Sequence, residues 1–284
     1  MSVMLLESFV LSKPYFDRNG LILALDDGKP VGFVHAGFGP TPHRDQLTTD
    51  IGTTCMLVVP EHAERERIQT ELIQHSESYL RGKGAIELRA GGAYPHCPFY
   101  LGLYGGSELP GILSGDPEGS RCFRKAGYEE IERYQIFQRS ITQFRPPVDR
   151  SMMQLRRQLK VRLLSDAKAS SWWDACIFGP SDRIFFQLEA KRGGTPVGQV
   201  TFWDMGPLST RFPSSAMGMI GLLIEEEHRG KGFETFLVSE CLQHLAKSNI
   251  SIVQAQTKSS DSTTQEMLGR LGFEELDYGV LFGK

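Results

Sequence analysis

The chain has 284 residues, enough for two cores at roughly 150 residues per domain, and its 40% hydrophobic and 23% charged content is that of an ordinary folding chain. With 31 Lys and Arg against 34 Asp and Glu, the net charge of −3 supplies no basic excess to hold nucleic acid or anionic lipid, so the composition points to a small-molecule or protein partner. Five cysteines, Cys55, Cys97, Cys122, Cys176 and Cys241, stand singly with no CxxC pair, which argues against a disulfide framework or a metal site and fits reduced thiols in a cytoplasmic protein.

The first residues lack a basic stretch and a small-residue cleavage site, and no run of about 18 uncharged apolar residues follows, so neither an export signal nor a membrane span is expected. A strand over 21–25 leads into the turn Gly28-Lys29-Pro30-Val31-Gly32-Phe33, which recurs as Gly194-Thr195-Pro196-Val197-Gly198-Gln199; alternating apolar residues around a Gly turn predict a β-hairpin in both places. From Gly32 to Glu61 and from Gly198 to Glu227 the separation is the same, since 61 − 32 and 227 − 198 both give 29. Each of those glutamates, with the histidine after it, follows an apolar strand (55–59, 219–224) and precedes a helix (68–80, 233–246). Both copies close on a helix end stopped by glycine, Ala126-Gly127-Tyr128 and Leu271-Gly272-Phe273. The offset between copies falls from 166 (196 − 30) to 145 (272 − 127), so the first copy carries an insertion, placed at 93–112.

Phe144-Arg145-Pro146-Pro147 cannot continue a helix or donate to a central strand at its prolines, so residues 145–150 read as a linker between a first domain, 1–144, and a second, 151–284. Strand-helix-strand passages require some parallel pairing within otherwise antiparallel sheets. The expected class is α/β, two domains each with a mixed, mostly antiparallel sheet flanked by helices. The first copy is short at its front, with about 20 residues before its first strand where the second has a longer lead-in from Ser151.

The chemistry-bearing motif is Glu227-His228-Arg229-Gly230-Lys231-Gly232-Phe233, at a strand end where a helix begins. Such a start leaves about four backbone N–H groups free at the positive end of the helix dipole, a site for anions. Two glycines let a diphosphate approach the backbone, and Arg229 and Lys231 add positive charge. Neither GxxxxGK[ST] nor GxGxxG is present.

An apolar strand, then [RQ]-x-x-G-x-[GA], then an amphipathic helix resembles the GNAT acyltransferase superfamily, with Leu222-Leu223-Ile224, Arg229 and Gly232 in the matching places. Leu271-Gly272-Phe273 resembles that superfamily's Leu-Gly-Phe, and the Pro-Val-Gly hairpins resemble its second and third strands. Two copies of this layout cover nearly the whole chain. The resemblance implies acetyl-CoA as cofactor, its diphosphate on the backbone of Arg229, Gly230, Lys231, Gly232, Phe233 and Glu234, and its pantetheine paired along Leu222, Leu223 and Ile224 like an added strand. Three positions depart from the pattern. Glu234 stands where Gly or Ala is usual and brings a carboxylate to the diphosphate. Leu268 and Phe123 replace the tyrosine that protonates the thiolate. Asp261 and Asp116 replace a frequent asparagine, so a polar contact to the cofactor is expected at Asp261. The first copy reads Glu61-His62-Ala63-Glu64-Arg65-Glu66-Arg67, with no glycine and with carboxylates that repel a diphosphate, so cofactor binding is assigned to the second copy alone.

For a base, Glu225 and Glu226 end the strand beside the expected thioester, although a solvated acidic rim is the simpler reading. The insertion is rich in aromatics, Gly and Pro; Tyr100 and Tyr104 are candidates to line an acceptor pocket and Glu108 to pair a substrate ammonium, with an ordered plug between domains as the alternative. His96 beside Cys97 is not read as a catalytic pair, because adjacent side chains on an extended segment point to opposite faces. Trp172-Trp173 and Trp203 read as core. The function expected is transfer of an acetyl or related acyl group to an amine of a small molecule or peptide, by a monomer or homodimer. The alternative is a non-catalytic CoA-binding or protein-interaction module, suggested by the missing tyrosine and by Glu234.

Overall fold

A computed structural model describes residues 3–102, 106–164, 168–179, 181–206 and 215–284. The first half runs α1 (Val3–Leu6), β1 (Leu21–Asp26), β2 (Lys29–Pro40), β3 (Leu47–Val58), α2 (Arg65–Gly82), β4 (Glu87–Ala90), β5 (Ile112–Leu113), α3 (Pro117–Lys125) and β6 (Glu129–Ser140). The second runs α4 (Arg150–Gln158), β7 (Leu159–Leu164), α5 (Trp172–Phe178), β8 (Arg183–Ala190), β9 (Pro196–Asp204), β10 (Ala216–Ile224), α6 (Phe233–Lys247), β11 (Ile252–Lys258), α7 (Ser262–Arg270) and β12 (Glu274–Gly283). The expected hairpins are β1–β2 and β8–β9, and the expected crossover helices are α2 and α6. Among the described residues the first half has no counterpart of β7 and α5 and enters its hairpin directly. Among the described residues no helix is long and apolar enough to cross a membrane.

The mixed α/β class is present, drawn as one continuous 12-stranded sheet, ordered β1-β2-β3-β4-β12-β6-β11-β10-β9-β8-β7, with β5 on β12. Parallel pairing occurs at β3–β4 and at β10–β11, the two crossovers through α2 and α6; the other pairings are antiparallel. The last strand of each half crosses to the other. β6 pairs with β11 from Ser140↔Ile252 to Tyr134↔Lys258, and β12 reaches β4 at Phe282↔Ala90. Each core is consequently built from both halves. Val280 and Phe282 of β12 lie in the cluster with Ile73, Leu80 and Leu88, while Phe137, Ile141 and Phe144 lie in the cluster with Phe236, Leu242 and Val253.

Side-chain alternation on β10 assigns its two faces. Met217 and Met219 point to α6 and the large second core, and Ala216 and Ile220 point to α5. Trp173 and Trp203 are fully buried on the α5 side, as expected for core, whereas Trp172 is exposed, edge-on to Tyr15. The amino-terminal segment closes over this face: Lys13 Nζ donates to the Cys176 and Ile177 carbonyls at 2.5 and 3.1 Å, satisfying the carbonyl end of α5. The lead-in basic residues are partly spent on β8, where Lys160 and Arg162 of β7 meet the buried Glu189 at 3.0 and 3.5 Å. All five cysteines are free thiols.

Candidate functional site

β10 and β11 pair from Ala216↔Ile252 to Gly218↔Gln254 and then stop, although β10 runs on to Ile224 and β11 to Lys258. Beyond Gly218, β10 keeps a ladder partner on its β9 side alone. That ladder is itself broken between Ile220 and Leu223, where Gly221 adopts φ +60°, a bulge that turns the Leu222 region out of the regular pleat. The strand proposed to receive an added partner thus presents an open edge next to a kink.

The chain then makes a single 3-10 turn, Glu226–His228, and starts α6 at Phe233. Gly230 and Gly232 hold φ of +69° and +83°, which L side chains rarely adopt, so the glycines are required by the turn itself. No side chain of the N-cap closes the first turn of α6. A Cβ on Gly230 would meet nothing within 4 Å and one on Gly232 would touch only Leu155 at 3.7 Å, so the glycines themselves are uncrowded. Arg229 and Lys231 fold the turn back on itself: Arg229 Nε donates to the Ile224 carbonyl at 3.0 Å and Lys231 Nζ to the Glu227 carbonyl at 2.6 Å. His228 stacks on Phe233, with ring centroids 4.8 Å apart. Glu234 leans back over the turn, its carboxylate accepting from the Gly230 amide at 3.4 Å, on a group an anion would use. A cleft of about 140 Å³ lies between this turn and α7, lined by Gly230, Gly232, Thr264 and Arg270.

Asp261 stands at the start of α7. It is the N-cap of α7, accepting from the Thr264 amide at 3.0 Å and the Thr264 hydroxyl at 2.6 Å, and Asp116 caps α3 in the same way through Gly119. The carboxylate in both copies serves a helix start. Glu225 and Glu226 follow directly on the end of β10. Both are exposed, and their carbonyls accept from the His228 and Arg229 amides within the turn. They form the solvated rim.

The large cavity, about 620 Å³, lies on the α5 side of the bulge and between the two halves. Leu222 and Leu223 border it, with Gln199 and Thr201 from β9, Phe185 and Phe186 from β8, and Phe178 and Asp174 from α5; Ile224 points into the core instead. Its other wall comes from the first half: Arg44, Tyr94 and Glu108. Arg44 donates to the Tyr94 hydroxyl at 3.0 Å and lies over its ring at 4.9 Å, and its carbonyl accepts from the Trp173 amide. Asp174 is neutralised by Arg183 at 2.9 Å and accepts from the Ser170 amide at 3.0 Å. Burial pushes the Glu108 carboxyl up to about 7 against the opposing field of Arg44. Tyr94 belongs to the aromatic insertion, but Arg44 and Phe185 were not singled out from sequence; nothing local to a hairpin loop or a strand marks a residue that meets the other half.

Of the insertion's aromatic candidates, Tyr100 does not reach this cavity. It is buried in the first half, where its hydroxyl and His35 Nδ1 share a hydrogen bond of 2.6 Å and Phe99 stacks on His35 at 4.3 Å. Tyr104 lies outside the described residues. Cys97 is fully buried, which raises its thiol well above the ordinary range, while burial lowers His96 to about 4, so the pair has no thiolate to offer.

The sequence profile of the acetyltransferase (GNAT) family matches residues 149–273. No match was found among curated protein sequences. Among solved structures the chain is similar to a tandem GNAT protein from the clavulanic acid biosynthesis pathway (13% identity, 95% of this chain and 84% of that one, TM-score 0.62) and to a GCN5-related N-acetyltransferase from Sphaerobacter thermophilus (12%, 94% and 80%, 0.63). A GCN5-related glucosamine N-acetyltransferase region of a fungal multi-domain GH3 β-N-acetylglucosaminidase matches at 14% identity over 91% of this chain, with TM-score 0.66. The chain spans about a third of that fungal protein, 32%.

Proposed function

We propose that the protein moves an acetyl group from acetyl-CoA to an amine of a small molecule or peptide, from the premise that residues 149–273 match the GNAT acetyltransferase family and that the chain is similar in fold to GNAT structures. The observation that carries the reading is the coincidence of an opened β10–β11 ladder with a glycine-lined, uncapped helix start at its end. Bound there, acetyl-CoA supplies a thioester whose acyl carbon accepts a nucleophile. The chain's own part is to hold and orient. The free edge of β10 over Leu222 and Ile224 can pair an amide-bearing arm as an added strand would, and the amides from Gly230 to Glu234 can serve a diphosphate once it displaces the Glu234 carboxylate from the Gly230 amide. Backbone N–H groups near the Leu222 bulge are the donors available to a carbonyl oxygen that gains charge. Leu268 is fully buried and can give no proton, so rate must come chiefly from positioning two reactants against each other, an effect that can reach several kcal/mol.

The test is a melting experiment followed by turnover. Acetyl-CoA at about 100 times its Kd should stabilise the protein by roughly 2.7 kcal/mol, and free CoA should then be released steadily with spermidine, glucosamine, L-lysine or phenethylamine as acceptor. Absence of any melting shift overturns the assignment. A shift without turnover for any acceptor would favour the non-catalytic CoA-binding module instead.

A further inference from the structure

We propose that the cavity between the halves receives the acceptor, a primary amine carried on an apolar body, and that Glu108 from the first half takes the proton from its ammonium group. This rests on the acyl-transfer reading of the second half. Glu108 is not a chance neighbour of the cavity, because the residues on both sides of it are fastened to the second half's sheet. Trp203 Nε1 on β9 donates to the Ser107 carbonyl at 2.9 Å, and Gln256 Nε2 on β11 donates to the Leu109 carbonyl at 3.1 Å. Gly218 on β10, the last residue of the β10–β11 ladder, lets Ser107 come so close that a Cβ on the glycine would lie 3.0 Å from the Ser107 Cα. The insertion therefore straddles the point where the two strands part, with one carboxylate aimed into the space above the bulge.

Among the described residues two carboxylates line the cavity, and Asp174 is already committed to Arg183. Glu108 has no hydrogen-bond or ion-pair partner among the described residues, and it is half-buried, so an ammonium is the group that would complete it. The groups that face it are Arg44, Tyr94, Tyr134 and Cys97, with Lys168 and Asp174 on the cavity's far side. Burial raises Tyr94 and Tyr134 to about 12 and Cys97 well above its ordinary value, so none of the three ionises near neutrality. Glu108, raised to about 7, is poised to accept a proton there and release it to solvent. The remaining wall, Phe178, Phe185, Phe186 and Leu222, offers apolar surface to the body that carries the amine.

The balance is simple. The ammonium passes one proton to the Glu108 carboxylate, the neutral nitrogen bonds to the acyl carbon as the carbon–sulfur bond breaks, the nitrogen's surplus proton leaves with the thiolate, and Glu108 returns its proton to water.

Binding tests this apart from turnover. Calorimetric titration of the full-length protein with phenethylamine and with the neutral 2-phenylethanol at pH 8 should show the amine bound at least tenfold more tightly, with the ratio shrinking at pH 6 as Glu108 protonates. Glu108→Gln should bind the two alike and Glu108→Asp should keep a preference for the amine, while both variants retain the wild-type melting shift with acetyl-CoA. With phenethylamine as acceptor, kcat/KM should climb through a limb near pH 7 that Glu108→Gln lacks, with a loss of about a hundredfold or more. Equal binding of amine and alcohol by the wild type, or an unchanged preference in Glu108→Gln, overturns the inference and leaves the acetyl-CoA reading standing. A wild type that binds the amine but shows no melting shift with acetyl-CoA breaks the underlying reading instead.

Discussion

β3 and β10 leave their parallel partners at corresponding points, the first ladder ending at Thr54 and Ala90, the second at Gly218 and Gln254. Past those points the two halves differ. In the second, β10 keeps a free edge, a bulge and a glycine-lined helix start. In the first, the insertion returns alongside β3: Cys97, Phe99, Tyr100 and Leu109 pack on Cys55, β5 joins the sheet, and a void of about 90 Å³ is left between Thr54, Gly111 and Asp116. The helix start differs too, since α2 begins after Glu64, with Glu66 in its first turn and an ion pair between Arg67 and Glu64, where α6 begins after Gly232. A duplicated crossover keeps its backbone path readily; whether it binds anything depends on a few side chains at the strand edge and the helix tip. The segment that fills the first opening also supplies Glu108 to the second, so one insertion closes one site and equips the other.

Breaking the chain at the linker should have the largest effect. Because β6 and β12 are exchanged, residues 1–144 and 151–284 expressed apart should each fail to give a cooperative thermal transition, whereas co-expression restores one; a cooperative melt of 151–284 alone would contradict the shared cores. Next comes the plug. Phe99 is 2% exposed, and Phe99→Ala should cost about 3–5 kcal/mol in chemical denaturation. Without gaining affinity for acetyl-CoA in the first half, that variant would show that the plug is structural and the helix tip decides binding.

The same region should be the acid-sensitive one. Burial lowers His35 from 6.5 to about 4, so it folds as the neutral imidazole; its contribution is complete above pH 6.5 and is lost as pH falls toward 4, on the order of 3 kcal/mol, visible as a melting temperature that drops across that window and flattens in His35→Phe.

At the binding turn, Gly232→Asp should abolish the stabilisation of roughly 2.7 kcal/mol from saturating acetyl-CoA, while Ala63→Asp at the first half's turn leaves it intact. The smallest change sharpens the contrast from the other side. Glu234→Ala frees the Gly230 amide and removes a like charge, and should tighten acetyl-CoA by about 0.3–1 kcal/mol, a factor of about two to five in a titration.

Residue types and spacing were enough to show the duplication, both crossover helices, both hairpins, the glycine turn before α6 and the loss of that turn in the first copy, because each depends on contacts a few residues apart along the chain. Trp203 and Trp173 could be placed in the core for the same reason, as large apolar residues on an amphipathic strand and helix. That Asp261 caps a helix was not legible, since whether a carboxylate caps a helix or faces a cofactor depends on a direction that the strand end and helix start fix together. Tyr100 and Glu108 sit eight residues apart in one insertion and point into different halves. No pattern within that segment distinguishes them; Trp203, Gln256 and Gly218, from three strands of the other half, turn Glu108 to the cavity, and His35 takes the hydroxyl of Tyr100. The exchange of β6 and β12 belongs to the same class. Two terminal strands of similar apolar pattern fit either sheet equally well by themselves, and the choice falls to the long-range packing that merges the two cores.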